Sequence, residues 1–158
     1  MRKYLSIVVL AGWIGLVLYL SYQNGQETAN TSREFTEYIL HIFIKTEPDG
    51  AVLMLWDGRF RTAAHFVLFF FYGVISVPIL KEWFKSSFMV TGLAVISGIL
   101  LAVLSEEGKV FIAGRHCDYS EMGLNVAGVV TGVAIALLFR WLWCRCHKER
   151  LSEKLNND

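Results

Sequence analysis

The sequence is short of charge for its length. Charged residues make up 18% of its 158 positions, whereas hydrophobic residues make up 54%, and the mean hydropathy is +0.45. A soluble domain of this size needs a larger polar fraction to cover its surface. The composition therefore excludes an ordinary soluble protein, and the length favours a single domain.

Four long stretches of the sequence contain almost no charged residues. A helix needs about 20 apolar residues to cross the hydrocarbon core, and barrel strands would alternate polar and apolar side chains, which these stretches do not. We therefore predict an all-α membrane protein with four transmembrane helices. Their approximate bounds are residues 4–22, 62–80, 87–104 and 122–143.

A cleavage site after the first stretch is also missing. Arg2 and Lys3 precede this stretch, as in a signal peptide, but the stretch is long and no A-x-A-like site follows it. We therefore expect an uncleaved first helix. Residues 1–145 would then form one transmembrane domain, and residues 146–158 a basic cytoplasmic tail.

The distribution of Lys and Arg predicts the orientation. With the N-terminus inside, nine of these residues flank the cytoplasmic ends, and six lie outside in longer loops. Because Lys and Arg accumulate in cytoplasmic loops, we predict that both termini are inside. The loop 23–61 and the polar stretch 104–125 would then face outward.

The first outer loop contains a helical pattern. Thr31 and Glu34 have the spacing of a capping box, and apolar residues then recur at helical spacing before Pro48. They are Phe35, Tyr38, Ile39, Ile42 and Phe43. Because this segment is too charged to span, we predict an amphipathic helix on the outer surface or packed over the bundle.

Recognised catalytic and metal-binding motifs are absent. The sequence contains no G-x-S-x-G, no H-E-x-x-H and no phosphatase-like Pro-Ser-Gly-His element. The stretch CRCH, Cys144 to His147, lacks a fourth ligand at a zinc spacing. The basic tail is typical of a segment that meets anionic lipids. We therefore expect no metal, no cofactor and no nucleic-acid partner.

Polar side chains nevertheless gather at one level, at the predicted outer ends of three helices. They are Arg61, His65, Glu106, Arg115, Glu121 and Asn125. Ionisable groups at membrane depth are costly, about 2.5–3.5 kcal/mol for a charge on insertion scales, and usually face a partner, a cavity or a site. One interpretation is a satisfied polar cluster that locks the helix ends together. The other is an outward pocket for an anionic head group, with Arg61 and Arg115 as donors.

The pocket interpretation leaves two functions open. A binding protein would hold a membrane lipid, a lipid-linked wall precursor or a lipoglycopeptide at the outer leaflet. An intramembrane enzyme would act on a lipid-linked substrate, with His65 and Glu106 as the candidate acid–base pair. The missing catalytic motifs favour the binding protein.

Gly128 and Gly132 form a G-x-x-x-G element in the last predicted helix. Small residues at this spacing allow two membrane helices to approach closely. The partner is either another helix of this chain or a second copy, so a homo-oligomer through these glycines stays open.

Several short motifs resemble those of the VanZ-like family of small bacterial membrane proteins. That family has an Arg-x-x-Ala-His-Phe element, a Glu followed by a Phe-x-x-Gly-Arg turn, and an acidic residue, an Asp or Asn and a Gly opening its last helix. The matching positions here are RTAAHF (61–66), Glu106, FIAGR (111–115), Glu121, Asn125 and Gly128, and LSYQNG (20–25) fits the family's first-helix exit. The resemblance covers roughly residues 10–138.

The chain departs from the family pattern at Ser105, Lys109, Ala113 and Leu68, where Asp, Gln, Pro and Glu are common. The family is named for a protein associated with resistance to teicoplanin, a glycopeptide antibiotic that acts at the cell envelope. The resemblance therefore implies a setting, the bacterial cytoplasmic membrane with a functional face toward the wall. It implies no established reaction.

Overall fold

The computed structural model describes residues 2–23, 25–44, 49–112 and 114–157, without the side chains of 2, 25–29, 31, 43, 44 and 148–157. The regular structure of these residues is entirely helical. The helices are α1 (Arg2–Ser21), α2 (Gly25–Ile44), α3 (Gly50–Trp83), α4 (Ser87–Glu107) and α5 (Tyr119–Asn157), with a 3-10 turn (Gly108–Phe111) after α4.

Four of the helices, α1, α3, α4 and α5, are long and apolar enough to cross a membrane. This confirms the predicted all-α, multi-pass membrane protein. The interior is built from small and β-branched residues of α3, α4 and α5, such as Val77, Ala94 and Val129, with Phe69 and Tyr72 as the largest apolar members. Large apolar side chains on the opposite faces of these helices are exposed, as expected where lipid replaces water.

The contact between α3 and α5 is a contact between backbones. A Cβ atom on Gly132 would collide with the carbonyl oxygen of Phe70, and one on Gly128 would lie 2.6 Å from that of Phe66. Without these methyl groups the two helices approach closely, which is how membrane helices gain packing energy when no hydrophobic effect drives them together. The glycine face considered for a second copy is therefore already occupied by α3 of the same chain.

Helix α3 begins at Gly50, well before the predicted start near Thr62. Its additional turns pack against α2, where Ser32 and Thr36 both donate a hydrogen bond to Oδ1 of Asp57. These hydrogen bonds satisfy Asp57 and stabilise the helical conformation of this charged segment. Pro78 does not end α3, which continues to Trp83.

Helix α2 occupies the loop for which an amphipathic helix was predicted, and it begins at Gly25, ahead of the proposed cap Thr31. It packs through the buried Thr36 and Leu40, whereas Phe35 and Tyr38 are 57% and 67% exposed. Its position on the outer surface stays a prediction. The side chains of Thr31 and Phe43, and the whole of Pro48, lie outside the described residues.

Candidate functional site

A buried group of charged side chains lies where α4 ends and α5 begins. Nζ of Lys109 is 2.7 and 2.8 Å from the two carboxylate oxygens of Glu106, and 2.7 Å from Oε2 of Glu121. Glu106 is 0% and Lys109 2% exposed. An ammonium has three N–H donors, so these contacts use all of them. Each buried charge is thereby paired, which offsets the cost of removing it from water.

Asn125 and His65 complete the polar network, which we define as Glu106, Lys109, Glu121, Asn125 and His65. Nδ2 of Asn125 donates to Oε1 of Glu106 at 3.3 Å, and Nε2 of His65 lies 3.8 Å from Oε2 of Glu121. Among the described residues, buried His65 Nδ1 and Asn125 Oδ1 have no hydrogen-bond partner. The polar network joins α3, α4 and α5 at one level.

The local sequence explains how Lys109 reaches both carboxylates. The 3-10 turn after α4 keeps Lys109 one turn beyond Glu106 and on the same side. Oδ1 of Asp118 accepts a hydrogen bond from the backbone N–H of Ser120 at 2.8 Å, which is the geometry of a helix cap. With α5 beginning there, Glu121 lies in its first turn, facing Lys109.

A cavity of about 520 Å³ opens beside the polar network, between the end of α1, α2 and α3. We call it the first cavity. Its walls are mainly apolar and include Leu20, Phe35 and Leu68, while Arg61, His65 and Arg115 supply most of its polar groups. Ligand pockets typically have volumes of about 300–1,000 Å³ and combine apolar walls with a few placed polar groups. The first cavity has both properties.

The two arginines of the first cavity come from different segments, α3 and the loop before α5. Partial burial and the charge of Arg61 lower the pKa of Arg115, while the carboxylates of Glu121 and Glu106 raise it. An arginine nevertheless stays protonated at neutral pH. Nε of Arg115 donates to the backbone carbonyl of Gln23 at 3.2 Å. Among the described residues Arg61 makes no hydrogen bond or ion pair.

The six residues predicted as a site therefore divide into two groups. Arg61, His65 and Arg115 line the first cavity. The other predicted residues, Glu106, Glu121 and Asn125, lie in the polar network. His65 belongs to both groups, because it lines the first cavity and lies beside Glu121. The polar network and the first cavity therefore adjoin each other at His65.

Lys109 was missing from the predicted site, although it is the centre of the polar network. Its sequence signal was its position three residues after Glu106, a spacing at which opposite charges pair on a helix. The sequence analysis ended the third predicted helix at residue 104 and so left Lys109 in a loop. In a loop, a separation of three residues does not bring two side chains to the same side. The helical continuation through Gly108–Phe111 makes the pairing possible.

The polar network is not arranged as a metal site. The centre between its carboxylates is occupied by the ammonium of Lys109, which a cation would have to displace. In the part of the chain that the structure describes, no three His, Cys, Asp or Glu side chains are grouped so that they could hold a metal ion.

Comparison with known proteins identifies a family. The family model described as VanZ/LLP1 matches residues 6–140, which is most of the chain. The match includes every residue of the polar network and of the first cavity. The comparison with curated proteins gave no match, and neither did the comparison with solved structures.

Proposed function

The chain belongs to the VanZ/LLP1 family, and from this premise we propose that it binds the anionic head group of an envelope lipid in the first cavity. The single observation that carries this proposal is the pair of arginines, Arg61 and Arg115, in one apolar-walled cavity. Two cations that face the same apolar space repel each other and are costly there. An anion between them would relieve this repulsion.

The chemistry of the first cavity favours an amphiphile. Arginine presents a planar fork of donors that suits phosphate and carboxylate oxygens, and the apolar walls suit an acyl or polyprenyl chain. The ammonium of Lys109 cannot take part, because its three donors are bound to carboxylates. The ligand class is therefore a membrane lipid or a lipid-linked wall precursor, and a lipoglycopeptide of the teicoplanin type has the same combination of a polar head and a chain.

The proposal is tested by replacing Arg61, which has no polar partner to lose among the described residues. Arg61→Gln is expected to weaken the binding of phosphatidylglycerol by about 10- to 100-fold, because a hydrogen bond to a charged group contributes about 1.5–3 kcal/mol. Arg61→Lys keeps the charge but loses the fork, so its affinity should fall between wild type and Arg61→Gln. Native mass spectrometry of the detergent-purified protein, titrated with phosphatidylglycerol, measures both.

Arg145→Gln is the matched control, because Arg145 is exposed on α5 and its guanidinium stacks on Trp141 outside the first cavity. This variant should bind phosphatidylglycerol as wild type does. A polyprenyl diphosphate titrated in parallel separates a wall precursor from a bulk lipid, since the tighter ligand identifies the source. Equal binding of phosphatidylglycerol by wild type, Arg61→Gln and Arg115→Gln would overturn the proposal.

We propose that the first cavity opens toward the outer side of the bacterial cytoplasmic membrane, with both termini inside. In variants that keep one cysteine each, a membrane-impermeant maleimide should label Cys117 in intact cells, whereas Cys144 and Cys146 should react only after permeabilisation. Partial burial and the carboxylates of Glu107 and Glu106 raise the pKa of the Cys117 thiol. Because the thiolate is the reactive form, labelling of Cys117 should accelerate as the pH rises through the alkaline range. Labelling of Cys144 in intact cells would reverse the orientation.

A second candidate function is an intramembrane enzyme acting on a lipid-linked envelope substrate. The observation in its favour is that His65 lines the first cavity and lies 3.8 Å from a carboxylate oxygen of Glu121. Glu106, the other candidate, has both oxygens bound to Lys109, so Glu121 is the carboxylate that can orient the imidazole. Product formed from a labelled lipid by wild type, but not by a His65→Gln variant that still binds the lipid, would establish this function instead.

A further inference from the structure

A second cavity lies on the other side of α3 at the same level. It has a volume of about 550 Å³ and is lined by apolar side chains of α3 and α5, among them Leu55, Phe66 and Leu124. Gly58 and Arg59 also line it. Its volume is close to the 520 Å³ of the first cavity, and both lie within the range of ligand pockets, about 300–1,000 Å³.

The two cavities share one wall. Ala63 and Val67 line both of them, and both residues are exposed on the surface of α3. Because Ala63 has a short side chain and both shared residues are on the surface, a molecule that follows the surface of α3 would reach both cavities. The second cavity thus adjoins the proposed head-group site.

Each of the two cavities has an arginine of α3 in its wall. Arg61 lines the first cavity and Arg59 the second, two residues apart and therefore on opposite sides of a helix. The guanidinium of Arg59 lies 5.3 Å from the centroid of the Trp56 ring, a cation–π contact at the edge of the second cavity. An anionic head group above Ala63 would have a cationic side chain on either side.

From this arrangement, we infer that the ligand is an anionic lipid with two chains, which straddles α3. One chain lies in the first cavity and the other in the second, while the head group meets Arg61 and Arg115. This inference rests on the proposed function and adds to it the class of ligand, a diacyl rather than a single-chain amphiphile. Two adjoining cavities of nearly equal volume suit two similar chains, and a single chain would leave the apolar walls of one cavity uncovered.

The test fills the second cavity without touching the first. A Cβ atom on Gly58 would meet no atom within 4 Å, so the side chain of Gly58→Leu can enter the cavity without a clash, and leucine favours a helix more than glycine does. Gly92→Leu is the matched control, because Gly92 is also helical, has the same free space and lines neither cavity.

The probes are phosphatidylglycerol and its single-chain lyso form, titrated by native mass spectrometry. Wild type and Gly92→Leu should bind the diacyl form about tenfold or more tightly than the lyso form, because the second chain buries additional apolar surface. Gly58→Leu should reduce this ratio to about twofold or less and leave the affinity for the lyso form unchanged. Arg61→Gln should weaken both lipids by the same factor.

Failure of the inference and failure of the proposed function give different results. If wild type prefers phosphatidylglycerol to phosphatidylcholine but binds the lyso form equally well, the two-chain ligand is wrong and the head-group site stands. A Gly58→Leu protein that keeps the wild-type ratio overturns the inference in the same way. If wild type does not distinguish phosphatidylglycerol from phosphatidylcholine, the head-group site itself is wrong.

Discussion

Lys109→Met is expected to lower the free energy of unfolding by about 3–5 kcal/mol, the typical cost of removing one partner from a buried ion pair. The methionine removes three hydrogen bonds at once and leaves the carboxylates of Glu106 and Glu121 facing each other. Glu106 is fully buried, so water cannot replace the lost ammonium. Reversible denaturation in detergent micelles measures the change.

Three further variants show whether charge pairing is the cause. Lys109→Gln keeps two donors and should be less destabilised than Lys109→Met. Glu106→Gln introduced beside Lys109→Met should recover part of the loss, with a coupling energy of about 0.5–3 kcal/mol. Lys85→Met, on an exposed residue between α3 and α4, should change the stability little. If Lys109→Met behaved like Lys85→Met, the polar network would not stabilise the fold.

Gly132→Ala is expected to destabilise the protein by about 1–3 kcal/mol, the usual cost of overpacking a closed interface. The new methyl group would collide with the carbonyl oxygen of Phe70 and lie 3.0 Å from its carbonyl carbon. Both are backbone atoms, so α3 and α5 must move apart. Gly132→Leu should prevent the two helices from packing altogether, which size-exclusion chromatography in detergent would record as loss of the monodisperse species.

The same helix contains the control. A Cβ atom on Gly123 would meet no atom within 4 Å, so Gly123→Ala should be neutral or stabilise the protein by up to about 1 kcal/mol through helix propensity. Gly132→Ala should reduce stability at any protein concentration, because the contact lies within one chain. A variant of unchanged stability that dissociated a dimer would instead assign the glycine face to a second copy.

The four membrane-crossing helices were predictable from the sequence. Each corresponds to a long apolar stretch with little charge, and only a helix can cross the bilayer with such a stretch. The first turns of α3 were not. Asp57, Arg59 and Arg61 stand among apolar residues there, and the sequence alone does not reveal that Ser32 and Thr36 satisfy Asp57. Whether such a segment is helical depends on side-chain partners from another helix, which the local sequence does not show.

The sequence predicted that the polar residues lie at the same depth in the bundle, but it did not predict which of them contact one another. Spacing along the chain brought Arg61 and His65, and Glu121 and Asn125, to the ends of predicted helices. It could not determine that the helical path continues past α4, which lets Glu106 face Lys109, or that Arg115 reaches Gln23 just after α1. These side-chain contacts depend on how α4 continues into the 3-10 turn and on the path of the following loop toward α1.

The spacing of Glu106 and Lys109 also has a consequence for biosynthesis. Three residues separate them along one helical stretch, so the pair can form within α4 and its 3-10 turn before α5 has packed against them. Until α5 packs against it, the carboxylate of Glu106 is then part of a neutral ion pair with Lys109. This pairing lowers the free-energy cost of placing Glu106 in the membrane. Glu121 and the glycines that contact α3 arrive last, and their docking completes a bundle whose most costly charge was compensated at an earlier stage of synthesis.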